Sequence, residues 1–179
     1  MSRAWRLGPG LVEEPVEPAA FAAEVDRLLE QITTARSQPA KLLAMLSEAA
    51  PLLRIAGRLE DSRKTAAAAI ALAELVEDPI AAFRNRLALA QVMQREGRHD
   101  LSTPLFDQLI VQARSSPQLA PFLHDVLFGA GVNLFDQRHT AEAARCFRES
   151  QSLRRAANMG PLLEMSAEAL RQTGSRASS

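Results

Sequence analysis

Gly57-Arg58-Leu59-Glu60-Asp61-Ser62 returns 40 residues later as Gly97-Arg98-His99-Asp100-Leu101-Ser102. A weaker third copy follows at Gln137-Arg138-His139, with Ala143 in the place of the serine. In each copy a breaker is followed at once by residues that open a new helix. Self-similarity at a fixed period marks stacked supersecondary units, each unable to bury its apolar face alone. The stretch therefore predicts helix-turn-helix pairs and, with them, an extended surface suited to holding another molecule.

The rest of the composition agrees with an all-α chain. Apolar residues make up 47% of the 179, and 32 of the residues are Ala, the strongest helix former. Tyr is absent and β-branched runs are scarce, which argues against sheet. Formal net charge is zero. A nucleic-acid binder draws most of its affinity from phosphate contacts and needs a basic excess, so no nucleic-acid partner is expected. Cys146 is the only cysteine, which excludes an internal disulfide, and no Cys/His cluster has zinc spacing. The N-terminus lacks the apolar run of a signal peptide, and no stretch of 18 apolar residues is present. A cytoplasmic protein without a membrane partner is the expectation.

Around the repeated stretch the chain divides by its breakers. Residues 1–17, with Gly8-Pro9-Gly10, Pro15 and three glutamates, predict an irregular arm. Its Trp5 either anchors the arm to the body or leaves it free. Phe21, Val25, Leu28, Leu29 and Ile32 share one helical face, which predicts a helix over 18–36. A second helix follows from Pro39 to Ile55, with Pro51 expected to kink or split it. Gly57 closes it as a C-cap, and a third helix is expected from Asp61 to Val76. Asp78-Pro79 is a strong start for a fourth, running to Glu96. Pro104 is tolerated only in a first turn, so the fifth helix is expected to begin near Ser102 or Thr103. Pro117 and Pro121 form the longest internal break. A sixth helix is expected to end at Asp136, a seventh to span Thr140 to Ala157, and an eighth to span residues 161–172. Residues 173–179 predict a flexible tail. The units are thus 39–77, 79–114 and 121–157 within a repeat domain over 18–172, and the flanking helices cap both ends of the stack.

These residues resemble the tetratricopeptide repeat family. Leu127, Ala130-Gly131, Leu134, Ala143 and Phe147 match its spacing in the third unit. Leu89-Ala90, Met93, Gly97, Ser102 and Phe106 match in the second, and Ala49-Ala50, Leu53, Gly57, Ser62 and Ala66 match weakly in the first. The signature Trp and Tyr are missing, and the period exceeds the ~34 residues of the standard repeat. Armadillo-like or HEAT-like pairs are the structural alternative. The resemblance covers residues 39–157. It implies a right-handed superhelical stack of antiparallel pairs, about eight helices in all, with a concave groove lined by the first helix of each unit.

On that register the groove displays Arg54 beside Ser47, Glu48 and Pro51. It then displays Arg84, Leu87, Gln91, Gln94 and Arg95 with Ala88, and finally Phe128, Val132 and Phe135 with Asp125. Arg and Gln beside apolar side chains suit a peptide or protein segment with apolar anchors and an acidic residue. The alternative for the phenylalanines is packing on the C-terminal helix. The Lys/Asn/Arg clamp that some family members use on chaperone carboxylates is excluded, because the corresponding places hold Ser47, Pro51, Leu87, Asp125 and Gly129. Arg145, Arg148, Arg154 and Arg155 on the seventh helix form either a solvated outer face or an acidic-partner site. His99, His124 and His139 and the lone Cys146 make no catalytic or metal set, so neither enzymatic activity nor a cofactor or metal is expected. The function expected is that of an adaptor binding a protein or peptide. Self-association as a homodimer through thin Ala faces of the third and eighth helices is the alternative.

Overall fold

In a computed structural model, residues 4–35 and 37–177 are described. Among the described residues eight α-helices carry the fold: α1 Pro18–Thr34, α2 Pro39–Ile55, α3 Leu59–Leu75, α4 Pro79–Arg95, α5 His99–Ser115, α6 Leu123–Asp136, α7 Thr140–Ala156 and α8 Gly160–Ala177. The protein is an all-α helical repeat. From α2 to α5 a new helix opens every 20 residues. The sixth slot keeps this rhythm, but it opens with a 3-10 turn over Ala120–Phe122 before α6 begins, because Pro121 removes a backbone donor. The expected end of the first helix, Arg36, lies outside the described residues, as do Met1 to Arg3, Ser178 and Ser179.

Helix ends set the rhythm. Gly57, Glu77, Gly97, Arg138 and Asn158 all adopt positive φ, between 54° and 78°. Each is followed by a residue whose N–H reaches back five positions: Arg58 to the carbonyl of Leu53, Asp78 to Ala73, Arg98 to Met93, His139 to Leu134 and Met159 to Arg154. These are Schellman turns, which satisfy the last carbonyls of one helix and reverse the chain into the next. Gly57 and Gly97 read directly from the sequence, whereas the same turn at Glu77 and Arg138 carries a Cβ that the conformation resists.

Several boundaries differ from expectation. α5 begins at His99, so Pro104 sits inside it rather than in its first turn. The Schellman turn at Gly97 launches the helix immediately and outweighs the bond that Pro104 forfeits. For the same reason α3 starts at Leu59, two residues before Asp61. α2 passes through Pro51 unbroken, with Ala49, Ala50 and Leu53 fully buried around it. α8 runs to Ala177, where a frayed tail was expected. Thr173 is buried there and donates to the carbonyl of Ala169, and Arg176 donates to the carbonyl of Phe135. The arm is not irregular throughout. Its residues form two short paired strands, β1 (Trp5–Leu7) and β2 (Glu13–Pro15), flanking a 3-10 turn at Pro9–Leu11.

The chain divides into two compact units. The first holds residues 1–6 and 13–98, the second residues 7–12 and 99–179. In the first, α1 packs on α2, α2 on α3 and α3 on α4, and α2 also touches α4. Phe21, Val25, Leu28, Met45, Leu53 and Ile55 form its larger core, with Trp5 packed against it, so the tryptophan anchors the arm. Toward α4 the core thins to Ala50, Ala66, Ala69, Ala73 and Ala82, which lets the helices approach closely. In the second unit α5 packs on α6, α6 on α7 and α7 on α8. Gly131 lies against Phe147 so tightly that a Cβ there would stand 2.5 Å from the ring.

Candidate functional site

The contact of α2 with α4 opens a cleft of about 740 Å³ in the first unit. Along α2 it is lined by Ala40, Leu43, Ala44, Ser47, Glu48, Pro51 and Leu52, positions that recur every three or four residues and so share a helix face. The opposite wall is Ala81 and Arg84 of α4, with Val76 and Asp78 from the turn before it. Local sequence places this wall firmly. Asp78 caps α4 by accepting from the Ala81 N–H at 2.9 Å, and Pro79 occupies the first helical position. Beneath the cleft the buried Asn85 donates to the Ser47 hydroxyl at 2.7 Å and to the carbonyl of Ala81 at 2.9 Å. This bond fixes α2 against α4 with a polar pair that an apolar contact would leave free to slide. The rim carries both signs of charge, Glu48 and Asp78 against Arg84.

The residues expected in a groove divide accordingly. Arg84 is exposed and lines the cleft, beside Ser47, Glu48 and Pro51. Arg54 lies on the same face of α2, one turn past Pro51, but is only 7% exposed and is ion-paired with Glu13 of β2. Leu87 and Gln94 are buried in the first unit, and Gln91 and Arg95 are half-buried there. Phe128, Val132 and Phe135 are buried in the second unit, at 7%, 9% and 3% exposure. Phe128 packs its ring on Phe147 of α7 at 5.4 Å between centroids. Phe135 lies under the Arg176 guanidinium at 4.3 Å. Phe135 therefore meets α8, the C-terminal helix that the sequence offered as its alternative, whereas Phe128 packs on α7.

Arg154 departs most from expectation. Arg145, Arg148 and Arg155 are exposed, whereas Arg154 is 1% exposed and fully employed. Its guanidinium donates to Asp125 at 3.0 Å, to the carbonyl of Leu162 at 3.1 Å and to the Ser166 hydroxyl at 2.9 Å, and it lies over the Phe128 ring at 4.6 Å. Burial resists the Asp125 charge, but the hydrogen bond and charge of His124 and the charge of Arg154 outweigh it, so its carboxyl titrates below the ordinary value. A second polar cluster joins Ser102, Thr103 and Gln137 to the buried Asn133, whose side-chain oxygen also lies 3.0 Å from His99 Nδ1. Cys146 is half-buried in α7, and burial raises its thiol pKa, away from reactivity. Among the described residues no group of three or more His, Cys, Asp or Glu is placed to hold a metal, and no helix is long and apolar enough to cross a membrane.

Sequence reasoning missed Asn85, Asp78 as a cleft residue and the part played by Glu13. Asn85 carried a signal, being a lone polar residue on an otherwise apolar helical face. Glu13 carried none, since an acidic pair in a Pro-rich arm reads as solvated. The chain matches no protein-family model, and no curated protein matches its sequence.

Proposed function

We propose that the protein is a non-enzymatic interaction module, a cytoplasmic adaptor built from tetratricopeptide-like helix pairs, that takes a peptide or protein segment in the cleft between α2 and α4. The observation that carries this reading is the cleft itself. It has an apolar face from Leu43, Pro51 and Leu52, a charged rim, and a wall held rigid by the Asn85–Ser47 bond. Rigid walls spare a ligand the cost of ordering its site. An apolar side chain seated there contributes ~1.5–3 kcal/mol before ordering costs. Zero net charge favours a protein ligand over nucleic acid.

The test is affinity capture from lysate of the source organism with wild-type bait and two cleft variants, Arg84→Glu and Ala44→Arg. A protein identified by mass spectrometry that is held by wild type and lost with both variants supports the reading. Equal capture by all three baits removes the cleft from it.

A second reading, self-association, has its own observation. Leu75, Val76 and Ile80 flank the α3–α4 turn at 78%, 40% and 37% exposure. Exposed apolar groups of this size mark contact surfaces when they adjoin one another. Sedimentation equilibrium decides it, because a monomer mass that holds across concentration excludes a homodimer.

A further inference from the structure

Arg54 is the starting point. It continues the cleft-lining face of α2, three positions past Pro51 and seven past Ser47. Its Nη1 is ion-paired with a carboxylate oxygen of Glu13, yet its Nε is buried without any hydrogen-bond partner. Among the described residues no other buried side-chain nitrogen or oxygen is left in that state. A buried unmet donor is costly, and a guanidinium is best satisfied by a carboxylate that takes two of its N–H groups side by side. Glu13 reaches Arg54 from one side only.

The element that presents Glu13 is slight. β2 is three residues long and pairs only with β1, of equal length. A two-stranded pair of this length is marginal in water by itself, so its hold on the first unit rests on Trp5 and on the contact of β2 with α2. The sequence of β2 is Glu13-Glu14-Pro15, followed by a bend at the exposed Val16 and Glu17, and all three strand residues are only partly buried. The chain thus lays its own acidic strand against α2, on an arginine it satisfies incompletely.

We propose that β2 is a resident pseudo-ligand, and that the partner of the first unit is an extended acidic segment whose carboxylate displaces Glu13 and grips Arg54 through Nε and Nη together. This rests on the reading of the α2–α4 cleft as a binding site and names the chemistry of its occupant. The segment runs along α2 with its acidic residue on Arg54 and its apolar residue against Pro51. Because the arm belongs to the same chain, its effective concentration is in the millimolar range, and it screens out weak acidic competitors.

The probe is a fluorescein-labelled synthetic peptide with the sequence of residues 11–17, Leu-Val-Glu-Glu-Pro-Val-Glu, read by anisotropy against the full-length chain. Glu13→Gln is expected to bind it at least ten-fold more tightly than wild type, and Glu13→Gln combined with Arg54→Gln is expected to lose that binding. Equal binding by wild type and Glu13→Gln, or binding that survives loss of Arg54, overturns the proposal. A measurement on wild type alone guards against a misfolded variant. Saturating peptide is expected to speed amide hydrogen exchange at residues 13–16, and unchanged exchange under saturation overturns the proposal as well. Partner capture that stays dependent on Arg84 while the peptide exchanges nothing overturns the resident-strand proposal alone. Peptide exchange with capture indifferent to Arg84 supports the Arg54 site and removes the cleft reading.

Discussion

Glu77 and Arg138 hold the left-handed backbone that Gly57 and Gly97 hold at equivalent turns. A side chain in that region costs roughly 1 kcal/mol relative to glycine. Glu77→Gly and Arg138→Gly are each expected to raise stability by ~0.5–1 kcal/mol, read as an upward shift in the urea midpoint. Arg154 stands at the opposite extreme. Arg154→Ala removes a buried cation and with it the donors to Asp125, the Ser166 hydroxyl and the Leu162 carbonyl, for an expected loss of ~3–5 kcal/mol. Asp125 ties this site to pH. Its folded-state pKa is depressed, so its contribution is fully present above the ordinary value of 3.8 and is lost as pH falls through the depressed one. Asp125→Asn is expected to lower the urea midpoint at neutral pH and to flatten its decline as pH falls below the ordinary carboxylate value. None of this was visible in the Arg-rich sequence of α7. Four arginines on one helix look alike until a second helix covers one of them.

Helices were the most legible elements, because apolar residues three and four apart and an Asp-Pro start are local signals. Asp78 at its cap and Gly57 at its turn lie where sequence put them. A single residue carries less weight than a cooperative element: Pro104 by itself predicts a later start for α5, but a proline costs one ladder bond and a clash, and the helix that holds it buries Phe106 and Leu109. Pro104 is exposed, so Pro104→Ala is expected to return the lost bond and stabilise the protein by ~1–3 kcal/mol, read by thermal melting. Glycine inside helices separates propensity from packing. Gly174→Ala meets nothing within 4 Å and is expected to gain ~0.5–1 kcal/mol. Gly131→Ala drives a methyl into Phe147 and is expected to lose ~1–3 kcal/mol despite the same gain in propensity. A shared sign for the two substitutions would contradict the close approach of α6 and α7.

For the molecule as a whole, the repeat was legible because its period is written twice at the turns, and the candidate site was legible only in part. Ser47, Glu48, Pro51 and Arg84 fall together because helical spacing is carried within one helix and one helix pair. Phe128, Val132 and Phe135 are buried within the second unit, because whether an apolar face is covered depends on distant chain. Here α7 and α8 cover it, and the reach of α8 to Ala177 had no signal in a polar segment. Arg54 was placed on the right helix face, but its partner lies 41 residues away on a strand with no periodicity to announce it. Ion pairs exposed on both sides, such as Lys64 with Glu60, contribute little by comparison, so raising salt is expected to leave the melting temperature nearly unchanged.

The even spacing of helix starts has a consequence for how such a chain can change length. Between Leu59 and Arg98 lies a block that begins just after one left-handed turn and ends just after the next such glycine turn. An in-frame duplication of those 40 codons would join like to like at its new seam. The added piece would arrive with its own stop signal, its own Asp-Pro start and its own alanine seam already in register. A gene with this punctuation can grow or shrink by whole pairs in a single recombination event, without any junction residue having to be invented.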